Sequence, residues 1–211
     1  MRKDIKITIL LFAAFMVWTA VICLIDVQPV GPCDTTVGLA TFNSSFHSFT
    51  GVHMPLYILT DWLGLVPLGI MILFALLGLF QWLRRKSLMM VDRSLLTLGG
   101  FYLVVLSVYL IFEFCVVNYR PILINNNLEA SYPSSTTILA LCIIPTACMQ
   151  IKTRIKSVRL RYFLIFLASA FTVFMVLGRL ISGVHWFSDI VGGCLISAAL
   201  VQLYSYISGL K

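Results

Sequence analysis

The chain has 211 residues, of which 60% are hydrophobic and 11% charged, with a mean hydropathy of +1.00. Soluble globular domains are nearer half apolar and a quarter charged, so this composition excludes an ordinary soluble fold and excludes disorder. Fifteen Lys and Arg against eight Asp and Glu give a formal net charge of +7, a balance compatible with nucleic acid, anionic lipid or loop bias in a membrane protein.

The apolar residues settle the choice against nucleic acid, because they are gathered into long runs. A helix crossing a hydrocarbon core of ~30 Å needs about 20 mostly apolar residues. Six stretches approach that length: Ile7 to Ile25, Trp62 to Leu83, Leu95 to Val117, Thr136 to Met149, Tyr162 to Leu177 and Ile190 to Ile207. The fourth and fifth are short, and the polar Ser134, Ser135 and Arg179 at their ends are expected to continue those helices toward the interface. The pattern predicts an all-α polytopic bundle of six transmembrane helices, residues 1–211 forming a single integral membrane domain. The first run follows Arg2, Lys3 and Lys6 but is long and shows no small-residue cleavage pattern before Asp26, so it is expected to be retained as a signal anchor. Five of the six cysteines lie within or beside these runs and read as small apolar core residues; Cys33 alone lies in a loop.

Basic residues sort cleanly on this layout. Arg2, Lys3, Lys6, Arg84, Arg85, Lys86, Arg93, Lys152, Arg154, Lys156, Arg159, Arg161 and Lys211 all fall on one side, which the positive-inside rule makes the cytoplasm, together with both termini. The loop from Asp26 to Asp61 carries three Asp and no Lys or Arg. Only Arg120 and Arg179 remain on the outer side.

In the first outer loop Leu39, Phe42, Phe46 and Phe49 recur at helical spacing, predicting a short amphipathic helix in the interface, with His47 and His53 as interfacial polar residues. The loop after the third span contains Asn118-Tyr119-Arg120-Pro121 and ends Ala130-Ser131-Tyr132-Pro133-Ser134-Ser135-Thr136-Thr137. Proline followed by hydroxyl residues signals a helix start, whose free N–H groups and positive dipole end make an anion site. Farther on, Gly178 to Asp189 hold Arg179, His185 and Asp189. His185 and Asp189 are four apart and would share a helical face, so that the carboxylate takes the Nδ1 proton and leaves Nε2 bare as nucleophile or base. Arg179 is six residues before His185, about 600° of rotation on a straight helix, and Ser182-Gly183 supplies the break that returns it. Ionisable groups at membrane depth are costly, which favours function for this trio.

These segments resemble the motifs of the type 2 phosphatidic acid phosphatases, the membrane branch of the vanadium-haloperoxidase-like superfamily. Arg179-x5-His185-x3-Asp189 is similar to the third motif, usually Ser-Arg-x5-His-x3-Asp, with Gly178 in the serine position. Pro133-Ser134-Ser135-Thr136 is similar to the second, usually Pro-Ser-Gly-His, and Arg120-Pro121 to the end of the first, usually Lys-x6-Arg-Pro, with Glu113 in the lysine position. The resemblance implies a metal-independent lipid phosphatase without cofactor, in which His185 attacks phosphorus to form a phosphohistidine and Asp189 orients it. Arg120, Arg179, Ser134 and Ser135 would bind the phosphate. The substrate would be a phosphorylated lipid, phosphatidate-like or polyprenyl diphosphate-like, met in the bilayer at the extracytoplasmic face of the plasma membrane if the source is bacterial.

Thr136 stands where the family places the histidine that protonates the leaving oxygen, and a hydroxyl does not titrate near neutral pH. Three readings follow. A lipid diphosphate expels phosphate with little need of a proton. A lipid monophosphate needs another donor, for which Glu129, Tyr132 and Glu113 are candidates. Alternatively, the chain is a catalytically impaired relative that binds lipid phosphates or a partner protein.

Overall fold

A computed structural model of the chain describes residues 2–210. Eight α-helices follow one another: α1 Arg2–Leu24, α2 Ala40–Thr50, α3 Met54–Leu63, α4 Leu65–Arg85, α5 Arg93–Phe114, α6 Ser135–Arg154, α7 Val158–Ile181 and α8 Phe187–Ser208. Six helical segments are long and apolar enough to cross a membrane, α3 and α4 counting together as Met54–Arg85. This is an all-α membrane bundle with the six spans the hydropathy predicts.

Boundaries differ where polar residues ride on helices that apolar runs cannot reveal. The second span starts eight residues earlier than its apolar run, because α3 passes into α4 through Gly64 with near-helical angles (φ −59°, ψ −20°). At 1.5 Å per residue these 32 residues reach about 48 Å, well beyond the hydrocarbon thickness. The surplus carries Tyr57, Thr60 and Asp61 toward the end of the bundle where the motif residues gather. Likewise α6 runs on to Arg154, while α7 takes in Arg179 as expected.

α6 is the most enclosed span and packs against α4, α5, α7 and α8, while α1 lies along α8. The core joins Phe15 and Ile22 of α1, Leu98, Phe101, Tyr102 and Val105 of α5, Ile138, Cys142 and Ile143 of α6, and Ile196, Leu200 and Tyr204 of α8. On the outer surfaces Leu10, Val17, Ile72, Leu73, Phe163 and Phe166 are exposed, the distribution required when the surrounding solvent is lipid. Pro145 interrupts the α6 backbone ladder, and the next residue, Thr146, returns its hydroxyl to the carbonyls of Cys142 and Ile143.

The amphipathic segment forms α2 at Ala40–Thr50, as its spacing predicts. It packs on the start of α8, where buried Asn43 donates to Ser188 Oγ and accepts from Ser188 N–H.

Candidate active site

The phosphatase-like motifs converge at one end of the bundle, each held by a different element. Arg179 lies in the last turn of α7. The chain then turns through Ser182 and Gly183, the latter in the left-handed region at φ +70°. A Cβ at Gly183 would lie 2.0 Å from the Gly51 carbonyl oxygen, so only glycine fits against the α2–α3 connection. The same connection donates His53 N–H to the Ser182 carbonyl. His47, expected to be merely interfacial, braces this turn: its Nε2 is 3.0 Å from the Gly183 carbonyl and its ring packs on Trp186.

The turn brings Arg179 back onto His185, with Nη2 3.2 Å from His185 Nε2. An arginine has donors only, so Nε2 receives this bond and must carry its lone pair. In the neutral ring the proton then sits on Nδ1, 2.9 Å from Ser131 Oγ. Ser131 in turn donates to Asp189 Oδ2. The direct His185–Asp189 contact expected from their i,i+4 spacing is replaced by this relay. Nδ1 and Oδ2 are 3.9 Å apart, because His185 precedes α8 instead of lying on it. Burial, reinforced by the charges of Arg179 and Arg120, holds the His185 imidazolium pKa well below its ordinary value and keeps the ring neutral.

Asp189 is fully buried and held from several directions. Trp186 N–H donates to Oδ2 at 2.9 Å, capping α8, and Asn118 Nδ2 approaches Oδ1 at 3.3 Å. Trp186 Nε1 also donates to the Tyr119 carbonyl, tying the loop that carries Arg120 to the histidine turn. Ser131 and Asn118 were missing from the candidates read in the sequence. Both lie inside the quoted motif segments, but short polar loop residues carry no pattern that marks them out.

Arg120 and Arg179 both lie over the Tyr57 ring, their guanidinium carbons 5.6 and 4.9 Å from its centroid. Each has one carboxylate neighbour: Glu129 Oε2 at 3.1 Å from Arg120 Nη2, and Asp61 Oδ1 at 3.7 Å from Arg179 Nη1. Buried Nε and Nη1 of both arginines make no hydrogen bond among the described residues. Unspent donors on two adjacent buried cations are the preparation expected for a multivalent anion.

Ser135 opens α6, whose first N–H groups lack intrahelical acceptors. Ser134 is tied into the packing of this helix start. It is fully buried, its Oγ accepts from Thr137 Oγ1, and its N–H goes to the Asp189 carbonyl. It fixes α6 to α8.

Of the possible proton donors, Tyr132 is buried in the core with its hydroxyl 2.7 Å from Thr19 Oγ1 and its ring against Gly192. Glu113 lines a small recess with Tyr109, Pro133 and Ser135. Glu129 is closed onto Arg120. Among the described residues, no three His, Cys, Asp or Glu side chains converge as metal ligands.

Comparison with known proteins agrees with this arrangement. No curated protein sequence matches the chain. In fold it is similar to a solved transmembrane PAP2-type phosphatidylglycerolphosphate phosphatase from Bacillus subtilis, with a TM-score of 0.59 over 96% of both chains; at 19% identity the likeness is one of fold. The profile of the PAP2 superfamily matches residues 69–211, which include all three motif segments. The chain is an integral membrane protein and belongs to the PAP2 superfamily.

Proposed function

We propose that the protein is a membrane lipid phosphatase that works through a phosphohistidine intermediate on His185. The observation that carries this reading is the bare His185 Nε2 set 3.2 Å from Arg179, beside two buried arginines with unspent donors. In-line attack by Nε2 on phosphorus breaks the bond to the lipid oxygen, and water then releases phosphate from the histidine. Arg120, Arg179, the Ser135 hydroxyl and the N–H groups opening α6 hold the phosphoryl oxygens, and Ser134 anchors that helix start. Positioning and charge stabilisation are the main demands of phosphoryl transfer. Asp189, acting through Ser131, holds the Nδ1 proton in place and stabilises positive charge as the ring is phosphorylated.

The excess of basic residues on the opposite side of the bundle supports a catalytic end facing away from the cytoplasm. The substrate class is a phosphorylated lipid. The structural neighbour is named for a phospholipid phosphomonoester, so such a lipid belongs in the test panel beside phosphatidate and a polyprenyl diphosphate.

Purified protein should release phosphate from at least one of these lipids, and His185→Ala should abolish the release. Release undiminished by the substitution refutes the phosphohistidine mechanism. The absence of release on every lipid favours the second reading, a lipid-phosphate binder, which the non-titrating Thr136 motivates.

A further inference from the structure

Cleaving a lipid monophosphate expels an alkoxide, which needs a proton, and Thr136 at the start of α6 cannot give one. The segment joining α3 to α4 meets that position. A Cβ at Gly64 would lie 3.6 Å from Thr136 Cγ2. One turn earlier on α3 is Asp61, whose carboxylate reaches Arg179, the residue that also touches the nucleophilic nitrogen. Its side chain is 58% exposed, so it is open to an incoming headgroup.

The contact with Arg179 is loose. At 3.7 Å it is an ion pair too long for a hydrogen bond, and Arg179 Nη1 is otherwise unpartnered. A phosphoryl group drawn to that nitrogen must come to rest beside the Asp61 carboxyl. Glu129, by contrast, makes a 3.1 Å bond to Arg120, and Tyr132 is spent in the core.

How α3 comes so close is visible at Gly178. A Cβ there would stand 2.7 Å from Thr60 Cγ2, so the bare glycine lets Thr60, the neighbour of Asp61, settle on α7 one residue from Arg179. Two departures from the motif pattern, Gly178 and Thr136, therefore flank the same five-residue stretch, 60–64. Asp61 precedes the matched residues 69–211, so no motif assigns it.

We propose that Asp61 is the general acid of this site, supplied by α3 in place of a group on α6; the proposal rests on His185 being the nucleophile. The incoming phosphoryl group takes Arg179 from Asp61, whose carboxylate, now beside an anion, takes up a proton from solvent; as Nε2 forms its bond to phosphorus, the bond from phosphorus to the lipid oxygen breaks, and the Asp61 carboxyl gives that proton to the oxygen. In the second step Asp61, now a carboxylate, takes a proton from the water that attacks the phosphohistidine, and Nε2 leaves with its electron pair. One proton is lent and returned, and phosphate and a lipid alcohol are the products. The substrate class this permits is a lipid phosphomonoester with an unactivated alcohol.

The test compares kcat/KM of wild type, Asp61→Asn, Asp61→Glu and His185→Ala. One substrate is an alkyl lipid monophosphate; the other has a leaving group that needs no proton, either 4-nitrophenyl phosphate or the matched lipid diphosphate. This constant reports events up to expulsion of the leaving group, so the water step does not obscure it. Asp61→Asn should lose about 10²–10⁴-fold on the alkyl monophosphate but less than tenfold on the activated substrate. Asp61→Glu should recover part of the loss. Activity on the second substrate also shows that the variant is folded. Equal losses on both substrates, or none on either, overturn the assignment while His185 dependence survives. So does a wild type that spares the alkyl monophosphate. Activity indifferent to His185→Ala instead overturns the underlying mechanism.

Discussion

A single property of arginine, that it only donates, orients the hydrogen-bonded chain from Arg179 through His185 and Ser131 to Asp189. It places the lone pair on His185 Nε2, hence the proton on Nδ1, hence Ser131 as acceptor from histidine and donor to Asp189. Removing the Ser131 hydroxyl leaves Nδ1–H facing a carboxylate 3.9 Å away, too far for a direct hydrogen bond. A hydrogen bond to a charged group contributes ~1.5–3 kcal/mol, so Ser131→Ala should lower kcat by about 10- to 100-fold. KM should move little, since Ser131 holds histidine and not phosphate; a rise in KM matching the fall in kcat would mark the serine as a packing residue instead. The same measurements give a pH profile. In the proposed mechanism neutral His185 is the reactive form, and burial with two nearby cations lowers its pKa, so the lone pair is lost only well to the acid side of an ordinary imidazole. The acid limb of kcat/KM in the wild type should be displaced accordingly. At this scale the sequence revealed what is local. Arg179, His185 and Asp189 are separated by one turn of chain, and their spacing is legible. Ser131 and Asn118 reach the site from the α5–α6 loop and Asp61 from α3, and no periodicity links residues that only tertiary packing brings together.

Helices were legible for a different reason. Hydrocarbon demands continuous apolar runs, so each span announces itself, and the interfacial α2 shows its one apolar face. The α3–α4 continuity was hidden, because Thr60 and Asp61 read as loop residues although the backbone stays helical through them. The contact that seats α3 depends on Gly178. Serine at that position would resemble the usual third motif more closely, yet its Cβ would stand 2.7 Å from Thr60 Cγ2. Gly178→Ser should therefore destabilise the protein by ~1–3 kcal/mol, the usual cost of overpacking, and depress activity by moving Asp61 from Arg179. Thr60→Ser deletes the clashing methyl and keeps the hydroxyl that bonds the Leu56 and Tyr57 carbonyls. Thermal unfolding in detergent of the two single variants and the double should show non-additivity, with the double recovering most of the loss. Additive effects would mean that Gly178 matters for some reason other than this contact.

For the molecule as a whole, net charge and catalysis separate in space. Among the described residues, twelve of the fourteen basic residues lie at the start of α1, in the connections between α4 and α5 and between α6 and α7, or at the helix ends facing them, while Arg120 and Arg179 sit at the motif end. The basic end is also knitted internally, with Asp92 held by Arg85 and Arg154 at 3.2 Å each and by Gln81. Such a distribution orients a membrane protein during insertion. It also gives the phosphate site an environment in which its own two cations dominate the local field, since charges farther than a Debye length of about 8–10 Å are screened wherever water intervenes. The orientation is testable with a native probe. Cys33 is exposed in the loop between α1 and α2, on the motif side. With the remaining cysteines replaced, a membrane-impermeant maleimide should label Cys33 in intact cells. A cysteine introduced by Lys156→Cys, in the connection between α6 and α7, should react only after permeabilisation. The reverse pattern would turn the active site toward the cytoplasm, and its lipid substrates would then have to come from the inner leaflet.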